Sequence, residues 1–442
     1  MKKKSALLRS LVALTSSAVL LAGCGGGGGD GPGPGPSTAP SPAPATPPET
    51  NAPSTAPIPP TTALGSSRQY EGSVAGCSLD TQKKFARAYL DEVYLWYREI
   101  PNVDPASYSN IPDYFNALLV RTPDSTGQER DRFSTVLPAS QAANLAPSAG
   151  AQQLDPFTAQ QNHTRAVPIT RVVTSPAGRR VGYIQFNDHS FGAQDDLITA
   201  FRQLQSGGGV QDLVLDLRQN SGGYLYVAVA AASMITGPQN EGKVFEQLRY
   251  NDKRQAESTQ STLLFSNRVQ FTESQYPLGS QLPQLALPRV FVLTTPTTCS
   301  ASESIINGLR GVDVQVIQIG TPDVSADTGL PGTCGKPYGF HQKNNCGWAY
   351  FPLEFQGTNA KGFGGYTTGF RNNCQVADNG GSRGTTSDSL FSAALTYADT
   401  GACPAGTVAT AQSSGTPLLG DLVRPGRPAW AGRLLLPSQQ VR

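Results

Sequence analysis

Apolar and polar positions follow two alternating patterns between residues 166 and 320. Short apolar runs with β-branched residues have the length and composition of buried strands. Segments between them place apolar residues at helical spacing. The strand-like runs are VPITRVVTS, RRVGYIQFND, DLVLDLR, PRVFVLTT and VQVIQIG, and the helix-like segments are DDLITAFRQLQSGG, YLYVAVAAASMIT and ASESIINGLRG. This alternation predicts an α/β core with a mostly parallel sheet, to which we assign residues 166–405.

The segment before this core has a helical pattern of its own. Residues 79–100 carry aromatic and aliphatic side chains at helical spacing, and residues 111–120 form a second short apolar segment. We therefore predict a small helical N-terminal unit over residues 74–121. Residues 122–165 are polar and show no periodicity, which predicts an irregular segment.

Both ends of the chain depart from these patterns. A basic start followed by an apolar run, over residues 1–23, is typical of an export signal, and the run is too short to span a membrane comfortably. Residues 24–73 are dominated by glycine and proline over most of their length, which predicts a disordered linker. Residues 406–442 predict a partly disordered tail.

The end of the apolar run suggests how the protein is anchored. Leu21-Ala22-Gly23-Cys24 resembles the lipobox of bacterial lipoproteins, and this resemblance implies cleavage before Cys24 and lipidation of Cys24. Gly25 follows instead of aspartate, which by the same resemblance implies the outer membrane. We therefore expect a lipid-anchored protein of the bacterial envelope that faces the periplasm.

Composition excludes some classes of function. The chain has 34 basic and 32 acidic residues, for a net charge of +2, which indicates neither a nucleic acid nor an acidic partner. It has three histidines and no CxxC pair, so we do not expect a zinc site.

Six cysteines remain beside Cys24, and an even number in an exported protein is typical of disulfides. Six cysteines allow fifteen pairings. Proximity along the chain favours two pairs, Cys334–Cys346 and Cys374–Cys403. Cys299 is then either a free thiol or the partner of Cys77.

The stretch TTCSASESIINGLRG admits two interpretations. Ser300 and Glu303 fit the S-x-x-E capping box of a helix N-terminus. A serine between a strand and a helix is also exposed beside unpaired N–H donors that could hold an oxyanion. This stretch alone leaves both interpretations open.

Three loops lie at the carboxyl ends of predicted strands, where ligand sites of α/β sheets are found. They are DLVLDLRQNSGGYL, TTCSASESIINGLRG and QVIQIGTPDVSADTGLPGTCGKPYGF. In this order they resemble the carboxyl-terminal-processing, or tail-specific, serine peptidase family. That family has a DLR-N-GG turn, then an S-A-S-E serine, then a strand followed by Gly-Lys. The resemblance covers residues 166–360 well and residues 79–100 loosely.

The resemblance assigns roles by position. Ser300 matches the nucleophile and Lys336 the general base. Gly222 or Gly223, with the backbone N–H of Ala301, would form the oxyanion hole. The chemistry is consistent, because serine needs an adjacent base and a lysine can serve when burial disfavours its ammonium form.

The chain departs from the family pattern in three places. Phe340 stands where many members carry a glutamine that orients the lysine, and Gln342 is a candidate substitute. Residues 323–331 resemble an insertion before the lysine. Residues 122–165 are too short and irregular for the family's PDZ domain, which we expect to be missing or reduced. His189, at a strand end, is an auxiliary residue or an alternative base.

The sequence therefore predicts a serine endopeptidase that hydrolyses periplasmic or unfolded proteins through an acyl-enzyme with a Ser–Lys dyad. The expected partners are protein or peptide substrates and outer-membrane lipid bound through Cys24. This interpretation implies no metal and no organic cofactor. The alternative is a non-catalytic binding lipoprotein on the same fold, since fold does not guarantee chemistry.

Overall fold

We analysed a computed structural model of the chain, which describes residues 65–124, 127–143, 166–321 and 332–405. The predicted signal, Cys24, most of the linker, the PDZ-equivalent segment from residue 144, the predicted insertion and the C-terminal tail lie outside the described residues.

The structure combines a mixed six-stranded sheet with two small antiparallel sheets. Its helices are α1 Gly72–Ala75, α2 Leu79–Val93, α3 Ile111–Ala117, α4 Ala139–Ala143, α5 Ala193–Ser206, α6 Leu225–Ile235, α7 Gln255–Gln260, α8 Ala301–Gly311 and α9 Ser389–Thr400. Its strands are β1 Thr135–Pro138, β2 Ile169–Thr174, β3 Arg180–Gln185, β4 Asp212–Asp216, β5 Val244–Tyr250, β6 Thr262–Leu264, β7 Arg289–Thr294, β8 Gln315–Gly320, β9 Tyr338–Gly339, β10 Lys343–Asn345, β11 Trp348–Phe351, β12 Phe355–Thr358 and β13 Cys374–Gln375.

The main sheet has the order β13-β8-β7-β4-β3-β2. All neighbouring pairs are parallel except β2 with β3 at one edge. This confirms the predicted α/β core with a mostly parallel sheet. The four inner strands are the near-continuous apolar runs of the sequence, as expected for strands covered by helices on both faces.

Side chains of the inner strands alternate between two apolar layers because successive residues of a strand point to opposite faces. Leu213 and Leu215 of β4 belong to the larger core with α5, α6 and α8. Val214 belongs to the smaller core, which α9 covers. Helix α6 is buried along its whole length, so it reads as continuously apolar in sequence.

The N-terminal helices share the larger core with the rest of the chain. Tyr350 of β11 packs against Phe85 of α2 and Phe115 of α3. Strand β1 pairs with β11, although the sequence predicted an irregular segment there. The predicted linker also ends too late, since Ser67–Tyr70 forms a 3-10 helix and α1 follows from Gly72. Both errors arise because four-residue elements are too short to produce a periodic pattern.

The second small sheet has the order β6-β5-β12-β9 and leads directly into the functional loops, since β9 begins two residues after Lys336. No described helix combines the length and the apolar character needed to cross a membrane.

Glu273 is a buried carboxyl in the loop between β6 and β7, and it predicts a pH dependence of stability. Burial raises its pKa to about 7, although Tyr226 donates a hydrogen bond to it at 2.6 Å and Asp195 N–H donates another at 2.9 Å. The folded chain therefore retains a proton between pH 4.5 and 7 that the unfolded chain loses. Stability due to this group is complete below pH 4.5 and falls by about 3 kcal/mol as pH rises through 7.

We expect Glu273→Gln to remove this dependence. A glutamine can accept the Asp195 N–H through its oxygen and donate to the Tyr226 hydroxyl through its amide nitrogen. Urea unfolding at pH 5 and pH 8 is the measurement. The variant should gain stability relative to wild type at pH 8. An identical wild-type-to-variant difference at both pH values would contradict the assignment.

Candidate active site

The nucleophile candidate lies at the turn between a central strand and a helix. Strand β7 ends at Thr294, and α8 begins at Ala301 immediately after Ser300. Ser300 has a φ of 58°, in the left-handed region that a non-glycine residue rarely adopts. Its side chain is fully buried, and its Oγ has no hydrogen-bond partner among the described residues.

Two other serines in this stretch, Ser302 and Ser304, could also be considered as nucleophiles, but the hydroxyls of both bond the backbone. The Ser302 hydroxyl donates to the carbonyl of Asn220 at 3.0 Å, and the Ser304 hydroxyl donates to the carbonyl of Ser300 at 3.3 Å. Ser300 is therefore the serine whose oxygen is available for chemistry.

Glu303 joins the nucleophile turn to the segment that carries Lys336. Its Oε2 accepts the N–H of Ser300 at 2.9 Å and the N–H of Lys336 at 2.8 Å, and its Oε1 accepts the N–H of Gly335 at 2.8 Å. The first contact is half of the predicted capping box. The Ser300 side chain faces the first turn as the box requires, but the contact falls short of a hydrogen bond. Sequence reasoning assigned Glu303 only this capping role and missed its contact with residues 335–336.

The carboxyl of Glu303 is fully buried. Burial raises its pKa, while hydrogen bonds from Thr333 and from three backbone N–H groups act in the opposite direction. These donors compensate a buried group that would otherwise be costly. Glu303 therefore fixes the distance between the two loops.

Lys336 is also fully buried, and aromatic rings surround its ammonium. Its Nζ lies 4.7 Å from the ring centre of Phe340 and 5.2 Å from that of Phe133, both within the range of cation–π contact. The aromatic residue at the expected glutamine position therefore contacts the lysine directly. Gln342, the suggested substitute, donates its amide to Asn344 at 2.8 Å in an exposed region.

The glycine turn after β4 packs against Ser300. A Cβ on Gly222 would come within 2.8 Å of the Ala301 nitrogen and of the Cys299 oxygen, so only glycine fits there, and its φ is +89°. The Gly222 N–H donates to Oδ1 of Asn220 at 3.0 Å. Of the two glycines considered for an oxyanion hole, Gly222 thus uses its N–H within the turn.

Asn220 connects this turn to the nucleophile turn and to His189. Its carbonyl accepts the Cys299 N–H at 3.1 Å, and its amide nitrogen donates to the carbonyl of Phe186 at 2.9 Å. The amide oxygen therefore faces His189 Nδ1, 3.1 Å away, so Nδ1 carries the proton. His189 is buried and forms a bridge with Gly223, which places it beside the glycine turn.

The six cysteines other than Cys24 form three disulfides. Cys374 bonds Cys403, the pair that proximity favoured. The expected Cys334–Cys346 pair is wrong, because the fold places each cysteine against a distant partner. Cys346 bonds Cys77 and ties the N-terminal helices to the turn between β10 and β11.

Cys334 bonds Cys299, with the two Cα atoms 5.1 Å apart. Their sulfurs and the Glu303 carboxylate lie within 4.8 Å of one another, which is a spacing that metal ligands also adopt. Here the sulfurs share a disulfide, so they are not thiolates.

A buried ion network below the glycine turn was missed by sequence reasoning. Arg218, the arginine of the DLR motif, pairs with Asp216 and with Asp388, each at 2.6 Å. Burial alone would lower the pKa of Arg218, but the two carboxylates raise it above its ordinary value. The signal that could have indicated this network is the charged DLR end of an otherwise apolar strand, because a buried charge requires a partner.

Comparison with known proteins identifies the family of these domains. Residues 180–329 match the model of peptidase family S41, and residues 81–135 match the peptidase S41 N-terminal domain. The chain therefore contains the S41 peptidase fold together with the N-terminal domain of that family. The matched range includes Ser300 and the glycine turn and ends before Lys336.

One curated protein and several solved structures are similar to parts of the chain. A carboxyl-terminal-processing protease from Picosynechococcus sp. is 28% identical over 144 residues, which cover 32% of this chain and 28% of that protein. A structure of an S41 protease from Bacteroides fragilis has a TM-score of 0.53 at 19% identity, with 71% of this chain and 97% of that chain covered. A photosystem II D1 C-terminal processing protease matches at 20% identity and a TM-score of 0.33, over 48% of each chain. The chain thus shares the fold of the first structure, and it spans about a quarter of the curated relative that it matches.

Proposed function

We propose that this chain is a serine endopeptidase that cleaves periplasmic or unfolded proteins through an acyl-enzyme on Ser300, with Lys336 as the general base. The observation that carries the proposal is the Glu303 carboxylate, because one oxygen accepts the N–H of both Ser300 and Lys336. Glu303 Oε2 thereby connects the Ser300 turn and the Lys336 segment, which are distant in sequence. The shared oxygen brings the backbone of Ser300 and the backbone of Lys336 to one place in the fold.

In the proposed reaction, Lys336 takes the proton of the Ser300 hydroxyl as Oγ attacks the carbonyl carbon of the peptide bond. The neutral amine that this step requires is favoured when a lysine is withdrawn from water, as Lys336 is. The lysine then passes the proton to the leaving amine. It later activates a water molecule that releases the acyl group from Ser300.

The oxyanion hole is proposed to consist of the N–H groups of Gly223 and Ala301. Ala301 is the first residue of α8, so its N–H belongs to the donors that have no partner within the helix. Gly223 is preferred to Gly222, since the latter donates to Asn220. One such donor typically changes the rate by about 100- to 1000-fold.

Both Ser300 and Lys336 are buried in this structure. We propose that substrate entry requires residues around Ser300 and Lys336 to move, as in many enzymes that exclude water before reaction.

The proposed location is the periplasmic face of the outer membrane, with lipid attached to Cys24. Three disulfides among the described residues support an oxidising compartment. Intact mass of the protein extracted from membranes tests the anchor, and an unmodified Cys24 or an uncleaved signal would exclude it.

Digestion of casein by the full chain tests the proposed activity. Wild type, Ser300→Ala and Ser304→Ala are compared, and each is also treated with a fluorophosphonate that labels activated serines. We expect wild type and Ser304→Ala to cleave casein and take the label, and Ser300→Ala to do neither. Cleavage that survives in Ser300→Ala would reject the proposal. Inactivity of all three forms across a range of pH would favour a binding lipoprotein on the same fold.

A further inference from the structure

The disulfide Cys299–Cys334 occupies an unusual place relative to the proposed catalytic pair. Cys299 directly precedes Ser300, and Cys334 lies two residues before Lys336. The bond therefore connects the nucleophile turn covalently to the segment that carries the base. The other disulfides, Cys77–Cys346 and Cys374–Cys403, involve neither segment.

The segment that carries Lys336 has little regular structure of its own to hold it. Residues 332–337 form no helix or strand, and they precede the two-residue strand β9. The N–H of Cys334 donates to the Thr298 carbonyl of the nucleophile turn at 3.0 Å. Glu303 at the start of α8 accepts the N–H groups of Gly335 and Lys336 and a hydrogen bond from the Thr333 side chain. The disulfide is the one covalent tie among these attachments.

The free-energy cost of burying Lys336 acts against holding this segment close to the nucleophile turn. The ammonium form of the lysine is more stable in water than among the rings of Phe133 and Phe340, since desolvation is costly for a charge. A conformation of the segment that returns Lys336 to water recovers this desolvation cost. A crosslink across 35 residues restricts the open conformations in which this occurs.

We propose that the Cys299–Cys334 disulfide is a positioning device for catalysis, which holds Lys336 in reach of Ser300 and away from water. The proposal rests on the proposed peptidase function. The cysteines touch no substrate, and they act through the two residues that they place. The enzyme is thereby most active in its oxidised form.

The test compares the full chain with two double variants. Cys299→Ala/Cys334→Ala removes the proposed device. Cys374→Ala/Cys403→Ala is the matched control, since it opens a loop of similar length, 29 residues against 35, and leaves the bond between the nucleophile turn and residues 332–337 intact. Peptide hydrolysis is followed for kcat, KM and pH profile, and each Tm is measured alongside.

We expect the first variant to lose about 10- to 100-fold in kcat at pH 7.5 with KM within about twofold, because a small displacement of reacting groups has that effect. The ascending limb of the kcat–pH profile of this variant should move to higher pH, because a lysine in contact with water is harder to deprotonate than a buried one. The control should keep wild-type kcat and pH profile even if its Tm falls equally. A merely structural disulfide would lower Tm and leave the pH profile in place.

Reduction of a folded protein provides a second route if the double variant folds poorly. In a background without Cys77, Cys346, Cys374 and Cys403, a water-soluble phosphine converts the remaining disulfide to two thiols and becomes a phosphine oxide, with the oxygen taken from water. Cys334 is half-buried, which allows access to the bond. A chelator is included because two free thiols beside Glu303 could bind metal.

Reduction should lower kcat by the same factor, and reoxidation should restore it. Unchanged or increased kcat on reduction, or an equal loss of kcat in the control, would overturn the proposal. Wild type without Ser300-dependent labelling would instead reject the peptidase function itself, and the positioning role with it.

Discussion

Lys336→Met is expected to lower kcat for peptide hydrolysis by at least about 1000-fold while the protein stays folded. A positioned base contributes about 100- to 10,000-fold, and residues that act as a unit often contribute more. Methionine has a similar length and no charge, so it suits the space between Phe133 and Phe340. The variant removes the base and, unlike an alanine, leaves no large cavity. Steady-state kinetics with one fluorogenic peptide, together with the Tm, is the measurement.

Lys343→Met is the matched control for this prediction. Lys343 lies on β10, seven residues further along, and its ammonium pairs with Glu71 at 2.7 Å near the surface. Surface ion pairs contribute about 1 kcal/mol or less, so we expect wild-type kcat. Retention of more than a tenth of wild-type kcat by Lys336→Met would place the base elsewhere.

If Lys336 is not the general base, His189 is the other candidate for that role. It donates from Nδ1 to Asn220, which is the tautomer that leaves Nε2 as the acceptor nitrogen. His189→Gln is expected to reduce kcat by less than about tenfold if Lys336 is the base, since its effect would then be on the glycine turn alone. An inactive His189→Gln beside an active Lys336→Met would reverse the assignment.

The parts of the fold predicted from the sequence are those with strong local patterns. Strands β3, β4, β7 and β8 are buried on both faces, so their apolar runs stand out from their surroundings. The helices between them have an apolar stripe or, in α6, an apolar surface throughout. By contrast, β10 reads KNN and β9 has two residues, and no local pattern distinguishes such strands from loops.

The candidate site was predictable only as separate loops. The sequence placed Ser300, Lys336 and the glycines at strand ends, and the parallel sheet then brings those ends to one edge. What joins them depends on distances through space. Glu303 was recognisable as a cap from its spacing to Ser300, but its contact with Lys336 spans 33 residues. The pairing of Cys299 with Cys334 was missed for the same reason, because the guess relied on proximity in sequence.

Arg218→Met is expected to be the most destabilising of the substitutions considered, by about 3–5 kcal/mol. The side chain lies within 2.6 Å of Asp216 and of Asp388, and all three residues are buried. Removal of the guanidinium takes the shared cation from the buried carboxylates of Asp216 and Asp388 and from Asp378, which lies 3.0 Å from Arg218. Arg383 remains 3.6 Å from Asp216 and compensates only one of them. Burial already raises the pKa of Asp388 despite Arg218. Urea unfolding followed by tryptophan fluorescence is the measurement.

A control for this prediction comes from Asp212, a second buried aspartate at the other end of β4. Asp212 accepts from both Arg179 and Arg289, so Arg289→Met leaves it one partner at 2.7 Å. We expect a smaller loss of stability there, because Arg179 still pairs with the buried carboxylate. Adding Asp388→Asn to Arg218→Met should recover part of the larger loss, since asparagine removes one charge and can still cap α9. If Arg218→Met and Arg289→Met were equally stable, the buried network would not support the glycine turn that begins beyond Arg218.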